Sequence, residues 1–448
     1  MNTNECSFKQ ALVAIAACLI SLSVFAQSLP KKKKIKDFGS SLKRLKWDEK
    51  KKAAVFRDAQ EDGSELNEGD VIRIETSLVT CDVLVIDTQG KVITGLKPTD
   101  FVVSEDNQPQ TLAHFVLGDD ANVPRTIVLI IDYSPSQFPY LRNSVDAAKL
   151  MVDKLGPLDR MAIVTDDVEV LVNFTEDKKK LKASLEMLIQ RTRGEAAFPH
   201  FDGKFRVGKS QQYSALFATL NDVFSEEDQR PIIIFQTDGD EIDYLRDTPI
   251  VPSVAPDLPP SLRKEAISES EKRRKAIMKH KREFGLSDVY RMAERSRATI
   301  YTVVPGFRLI GFDGEQQLER MRMQLEYETA SFVKRFPESE SETRKRNEEL
   351  RTFSPANLAF RAKQTLIVQT ALAAMAPLTG GWTEFLEKRE QADAIYSRIF
   401  SDINQRYILG YYPTNKERDG ERRSIKITVR EHPEYIVLGR TAYYAPEQ

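Results

Sequence analysis

Residues 127–136 read Ile-Val-Leu-Ile-Ile-Asp-Tyr-Ser-Pro-Ser, an apolar run that ends in one aspartate and two alternating serines. A run this apolar fits a strand buried on both faces of a parallel sheet. Open α/β sheets place their ligands at the carboxyl ends of such strands. Asp132, Ser134 and Ser136 therefore offer one carboxylate and two hydroxyls from a single short loop. Hard oxygens converging on one point suit Mg²⁺, Mn²⁺ or Ca²⁺ rather than zinc or copper.

Outward from this strand, residues 121–405 alternate strand and helix. Strands are expected at Thr126–Ile131, Met161–Thr165, Val168–Val172, Pro231–Phe235 and Thr299–Val304. Helices are expected at Tyr140–Leu155, Lys178–Gln190, Ser214–Phe224 and Leu286–Ser296. Such alternation predicts a Rossmann-like, doubly wound, mostly parallel sheet with helices on both faces. Two charged excursions interrupt it, near 247–283 and 308–365. The first opens Pro-rich and continues as a charged helix from Lys264 to Lys281. The second places Leu318, Met321, Leu325 and Ala330 at rough helical spacing. Both read as solvated helices, with a partner-binding surface as the sharper alternative.

The two flanks of this domain read as strands. Val79, Cys81, Val83 and Val85 alternate on one face, and Asp87-Thr-Gln-Gly90 is a turn. Phe101–Val103 and Leu112–Phe115 add two short strands, too few for a sandwich of their own. Tyr407–Tyr412, Ser424–Val429 and Tyr435–Tyr444 supply more. The economical arrangement is one β-sandwich built from residues 70–120 and 406–448, with the α/β domain inserted between.

Lys9 precedes an apolar run from Ala11 to Phe25, and Val24-Phe25-Ala26 suits cleavage after Ala26. This reads as an export signal over residues 1–26. The run is shorter than the roughly 20 residues of a membrane span. Ile15-Ala16-Ala17-Cys18 also resembles a lipoprotein cleavage box, which would leave Cys18 lipidated. Residues 27–69 are rich in charge and read as a tether. Its basic half, Lys31–Lys34 included, could touch an anionic membrane surface. Over the whole chain, Lys+Arg 66 nearly cancels Asp+Glu 67, so charge gives no argument for nucleic acid. After cleavage only Cys81 of the 3 cysteines remains, which excludes an internal disulfide. The four histidines are scattered and no zinc motif exists.

Two further oxygen donors are expected beside the Asp132 loop. Asp238 follows Ile232-Ile233-Ile234-Phe235 and falls at a strand's carboxyl edge. Ser214, as N-cap of the helix leading into that strand, would aim its hydroxyl at the same rim. Asp240 and Glu241 read as solvated loop charges or groups behind the ligands.

The Asp-x-Ser-x-Ser loop, a later hydroxyl residue and an Asp-Gly after a buried strand resemble a von Willebrand factor type A domain. The resemblance implies a metal-ion-dependent adhesion site formed by Asp132, Ser134, Ser136, Ser214 and Asp238. It implies a divalent cation, Mg²⁺ or alternatively Mn²⁺ or Ca²⁺, with an open position for an acidic residue of a partner protein. The family usually has threonine where Ser214 is placed and glycine where this chain has Pro135. Proline fixes φ, removes an N–H and biases Ser134 toward extended geometry. Leu96-Lys-Pro-Thr-Asp100-Phe101-Val-Val-Ser-Glu105-Asp106, Gln110, Phe115, Thr379-Gly380-Gly381, Tyr407-Ile-Leu-Gly410-Tyr411-Tyr412-Pro413, Arg423–Arg430 and Gly439-Arg440-Thr-Ala-Tyr443-Tyr444 resemble a group of exported bacterial proteins. These are the acidobacterial-type von Willebrand factor A-related proteins. The match runs from about residue 71 to the end apart from the two excursions, and implies fold and site rather than a substrate.

The resulting expectation is an exported, non-enzymatic protein-binding module. Two alternatives stay open. One is a scaffold acting through the helical excursions, with a vestigial metal site. The other is nucleotide binding by Gly203-Lys-Phe-Arg-Val-Gly208-Lys209-Ser210, which fits the P-loop pattern. Its context argues against it, because residues 195–202 contain proline, histidine and acids instead of a buried strand. No Gly-x-Ser-x-Gly elbow supports a hydrolase.

Overall fold

The computed structural model describes residues 43–48, 53–56, 78–117, 124–191, 211–224, 230–245, 284–335 and 355–446, with four further helical positions between 267 and 275. The export signal, the P-loop-like segment and nearly all of the first charged excursion lie outside the described residues.

Strands β1 (Lys43–Asp48) and β2 (Ala53–Phe56) precede β3 (Val79–Ile86), β4 (Phe101–Glu105), β5 (Gln108–Gln110) and β6 (Leu112–Leu117). The central region runs β7 (Thr126–Ile131), α1 (Leu141–Asp153), β8 (Arg160–Thr165), β9 (Glu169–Thr175), α2 (Lys178–Arg191), α3 (Gln212–Asp222) and β10 (Pro231–Gln236). It continues through α4 (Ile242–Leu245), α5 (Leu286–Arg295), β11 (Thr299–Pro305), α6 (Gly314–Arg335), α7 (Pro355–Met375), β12 (Thr383–Leu386) and α8 (Ala392–Asn404). Strands β13 (Tyr407–Tyr411), β14 (Arg422–Val429), β15 (Ile436–Leu438) and β16 (Ala442–Tyr444) close the chain.

The central sheet has the order β12-β11-β10-β7-β8-β9-β1-β2. From β12 to β8 every pairing is parallel. Strand β9 is antiparallel to β8, because three residues cannot carry the crossover that parallel neighbours require. All six residues of β7 and of β10 are buried, as the apolar runs Ile127–Ile131 and Ile232–Phe235 demand. Alternate residues face opposite cores. Ile127, Leu129 and Ile131 meet α1, α2 and α8, whereas Val128 and Ile130 meet α3, α5 and α7. Each such side chain contributes roughly 1.5–3 kcal/mol of burial.

Two segments of the expected tether are ordered strands. β1 pairs parallel with β9 and antiparallel with β2, extending the sheet's edge. The flanking strands form two four-stranded sheets, β15-β3-β13-β6 and β16-β14-β4-β5. They share one core, in which Cys81, Val83 and Leu409 of the first meet Val103, Ile425 and Tyr443 of the second. Among the described residues no helix is long and apolar enough to cross a membrane.

The second charged excursion is not merely solvated. Leu318, Met321 and Leu325 of α6 pack against Leu358, Ala362 and Leu366 of α7. Helix α7 then runs past residue 365, and its Leu372 and Met375 enter the central core. The Tyr327 ring of α6 stacks on Tyr140 with centroids 5.2 Å apart, and its hydroxyl accepts from Asn143 at 2.7 Å.

Candidate cation and partner site

Strands β7 and β10 are parallel neighbours, yet the chain leaves them toward opposite edges of the sheet. Their carboxyl ends therefore form the topological switch point, where the loops diverge and leave a crevice. Asp132 and Asp238 stand on the two loops. The backbone joins them first, since Asp132 N donates to Gln236 O at 3.0 Å.

The Asp132 loop folds on its own side chain. Ser134 N donates to Asp132 Oδ1 at 2.9 Å, which turns the chain. Residues Pro135–Gln137 then form one 3-10 turn. Proline opens that turn, where a missing N–H leaves no bond unmade. The turn brings Ser134 Oγ and Ser136 Oγ to 3.0 Å from each other. Ser136 is exposed, whereas Asp132 and Ser134 are buried.

The Asp238 loop meets it. Gln137 Nε2 donates to Asp238 Oδ2 at 2.7 Å, and Ser136 also bonds that carboxylate. Thr237 Oγ1 donates to Asp132 Oδ2 at 2.8 Å and accepts from Gly239 N at 2.9 Å. Gly239 has φ +73°, and a Cβ there would lie 2.9 Å from Leu372 of α7. Strand order, crevice and this Asp-x-Ser-x-Ser loop coincide. The central domain has a von Willebrand factor A-like fold.

This chain shares features with several solved structures. A von Willebrand factor type A protein from Catenulispora acidiphila aligns at 10% identity over 83% of this chain and 74% of that one, with a TM-score of 0.30. The vWF domain of the type V pili tip protein Mfa5 from Porphyromonas gingivalis aligns at 13% identity over 63% and 95%, with a TM-score of 0.28. An aerotolerance-related membrane protein from Bacteroides fragilis aligns at 12% identity over 40% and 67%, with a TM-score of 0.25. No protein-family model and no curated protein matches the chain.

Four of the five expected donors converge in the central domain: Asp132, Ser134, Ser136 and Asp238. Ser214 does not join them. Helix α3 takes Gln211 as N-cap, so Ser214 is the helix's third residue and not its cap. Its Oγ donates to Glu241 Oε1 at 2.8 Å. Glu241 Oε2 accepts from Tyr213 N at 2.6 Å and Ser214 N at 3.2 Å. Glu241 is thus a buried carboxylate capping α3 from another loop, and not a solvated charge.

Two glutamines that the sequence did not single out complete the centre. Gln212 is fully buried, and its Nε2 donates to Asp240 Oδ1 at 2.7 Å, Asp132 Oδ2 at 3.0 Å and Asp238 Oδ1 at 3.5 Å. Gln212 Oε1 accepts from Glu241 N at 3.2 Å. Gln137 is 1% exposed and its Oε1 has no partner among the described residues. Asp166, at the end of β8, is a further buried acid and accepts from Tyr133 N at 3.0 Å.

This electrostatic load is large. Burial, then the carboxylates of Asp240 and Asp132, hold Asp238 well above the usual carboxylate range. Burial, then Asp132, does the same to Asp166. Burial pushes Glu241 up to about 7, against the hydrogen bonds from Ser214 and Tyr213. Among the described residues no lysine or arginine pairs with Asp132, Asp166, Asp238 or Glu241. No three Asp, Glu, His or Cys side chains among the described residues form a metal-holding group by themselves. The donor set instead mixes carboxylates with serine hydroxyls. Its all-oxygen chemistry fits a hard divalent cation.

Proposed function

We propose that this protein is an exported, non-enzymatic interaction module whose von Willebrand factor A-like domain holds a divalent cation and presents it to an acidic group of a partner protein. Asp132, Ser134, Ser136 and Asp238 would hold the ion, Mg²⁺ or Mn²⁺ in preference to Ca²⁺ given the compact loop. Ser214 acts behind them through Glu241. When bound, the cation would supply the positive charge that a partner carboxylate recognises.

The observation that carries this reading is the meeting of the β7 and β10 loops. Two serine hydroxyls and two carboxylates lie within one chain of hydrogen bonds there, which supports a shared cation. Two carboxylates against one divalent ion leave it nearly neutral, so a third carboxylate from outside is tolerated. The exposed Ser136 gives the partner its approach. Export rests on the apolar run from Ala11 to Phe25 and the small residue Ala26 that follows it.

Calorimetric titration of Mg²⁺ and Mn²⁺ into the wild type and Asp132→Ala tests the reading. Heat that disappears with Asp132 is expected. Equal heats, or none in either protein, overturn the cation bridge. A pull-down from the producing cell's envelope, with and without chelator, then tests the partner.

A further inference from the structure

Gln212 Nε2 lies among three carboxylates, 2.7 Å from Asp240, 3.0 Å from Asp132 and 3.5 Å from Asp238. We infer that the Gln212 amide is a built-in competitor for the cation of the Asp132 site, filling the ion's place until the ion displaces it. The inference rests on the cation reading above and adds a control to it.

Hard divalent cations sit about 2.0–2.6 Å from their oxygen ligands. Nε2 already faces Asp132 Oδ2 and Asp238 Oδ1, so an ion bonded to both oxygens from that side would need the space that Nε2 fills. The N–H bonds also point at the carboxylates, so a cation there would face the positive end of the amide. Amide and ion exclude each other. The amide meanwhile does part of the ion's work, because hydrogen bonds to charged groups are the stronger kind. It thereby holds the acidic loops together without metal.

The placement is built. Gln212 is the first residue of α3 and has no exposed surface. Its Oε1 accepts from Glu241 N at 3.2 Å, so the amide orientation is tied to the loop that caps α3. Displacing the side chain frees Glu241 N and couples the cation to the start of α3. The neighbouring Gln137 supports a centre that accepts a further group. It donates to Asp238 at 2.7 Å, is nine-tenths buried or more, and leaves its Oε1 without a partner among the described residues.

Mn²⁺ alone serves as the probe, with the full chain as wild type, Gln212→Met, Asp132→Ala and the double variant. Methionine keeps the length of the side chain and removes its N–H groups. Calorimetry is expected to show Mn²⁺ binding about tenfold tighter or more in Gln212→Met, on the scale of one charged hydrogen bond. The double variant is expected to bind none. Equal or weaker binding in Gln212→Met, with Asp132-dependent heat still present, overturns the competitor role and leaves the cation reading standing. Absence of Asp132-dependent heat in both proteins overturns both. Where Gln212→Met does not fold, the wild type labelled with ¹⁵N-glutamine decides. A Gln212 side-chain amide signal that moves in step with a Mg²⁺ titration supports displacement, and one that stays fixed while Mg²⁺ binds rejects it.

Discussion

Ser214 gives its hydroxyl to Glu241, Oγ to Oε1 at 2.8 Å, and not to Asp132 or Asp238. The bond makes Glu241 the acid that holds the start of α3, and burial pushes that acid up to about 7 from the ordinary 4.5. Between these values the folded chain binds more protons than the unfolded one, so stability falls as pH rises through the window. Glu241→Gln keeps the acceptor and removes the titration. Urea unfolding at pH 5 and pH 8 is expected to show a loss of up to about 3 kcal/mol in the wild type that Glu241→Gln does not share. Equal losses in the two proteins reject this role.

Arg406 is 1% exposed and joins three parts of the fold. Its Nε donates to Asp402 Oδ1 of α8 at 3.0 Å, its Nη1 to Asp82 O of β3 at 3.1 Å, and its Nη2 to Gly380 O. Arg406→Ala strands the buried Asp402 carboxylate and is expected to cost about 3–5 kcal/mol in chemical denaturation. Arg406→Met with Asp402→Leu removes both charges and is expected to cost less than the single change. A double variant weaker than Arg406→Ala would falsify the ion-pair account.

The legible parts of the sequence were those whose burial is uniform or periodic. Ile127–Ile131 and Ile232–Ile234 lie under helices on both faces, so their apolar runs announce buried parallel strands and the switch point between them. β12 and α8 differ in how legible they are. Thr383–Leu386 is short, and three of its four residues are only half-buried, so it leaves little pattern. Ala392, Ile395, Tyr396, Ile399, Phe400 and Ile403 do carry a helical stripe that announces α8. The site divides the same way. Asp132 and Asp238 announce themselves as acids ending apolar strands. Gln212 does not, because its reach into the carboxylates is set by how α3 docks and not by its neighbours in sequence. The departure of Ser214 from the N-cap position has the same source: the cap of α3 comes from a loop 27 residues away.

Thr379-Gly380-Gly381 is a packing device. A Cβ on Gly381 would lie 1.9 Å from Ile300 O and 2.7 Å from Ile300 C, both backbone atoms of β11. Gly381→Ala must push the loop off the sheet and is expected to cost about 3 kcal/mol or more. Gly90 provides the contrast. It has φ +83° with nothing within 4 Å of a built Cβ, so Gly90→Ala bears only the conformational cost of roughly 1–2 kcal/mol. Thermal melts of the two variants should fall in that order, and the reverse order contradicts the contact.

Cation binding at the Asp132 loop should release protons. Burial, Asp240 and Asp132 hold Asp238 above the usual carboxylate range, so without an ion it keeps its proton to higher pH than a free carboxylate does. A divalent cation needs the carboxylate, and the bound ion expels that proton. The sign follows: affinity rises with pH, by at most about tenfold per pH unit for each proton released, and levels off once Asp238 is ionised in the free protein. Calorimetry with Mn²⁺ in two buffers of different ionisation heat measures the proton count directly. A heat that is the same in both buffers, with an affinity that does not change with pH, would show that Asp238 is not displaced from its proton by the ion and would remove it from the ligand set.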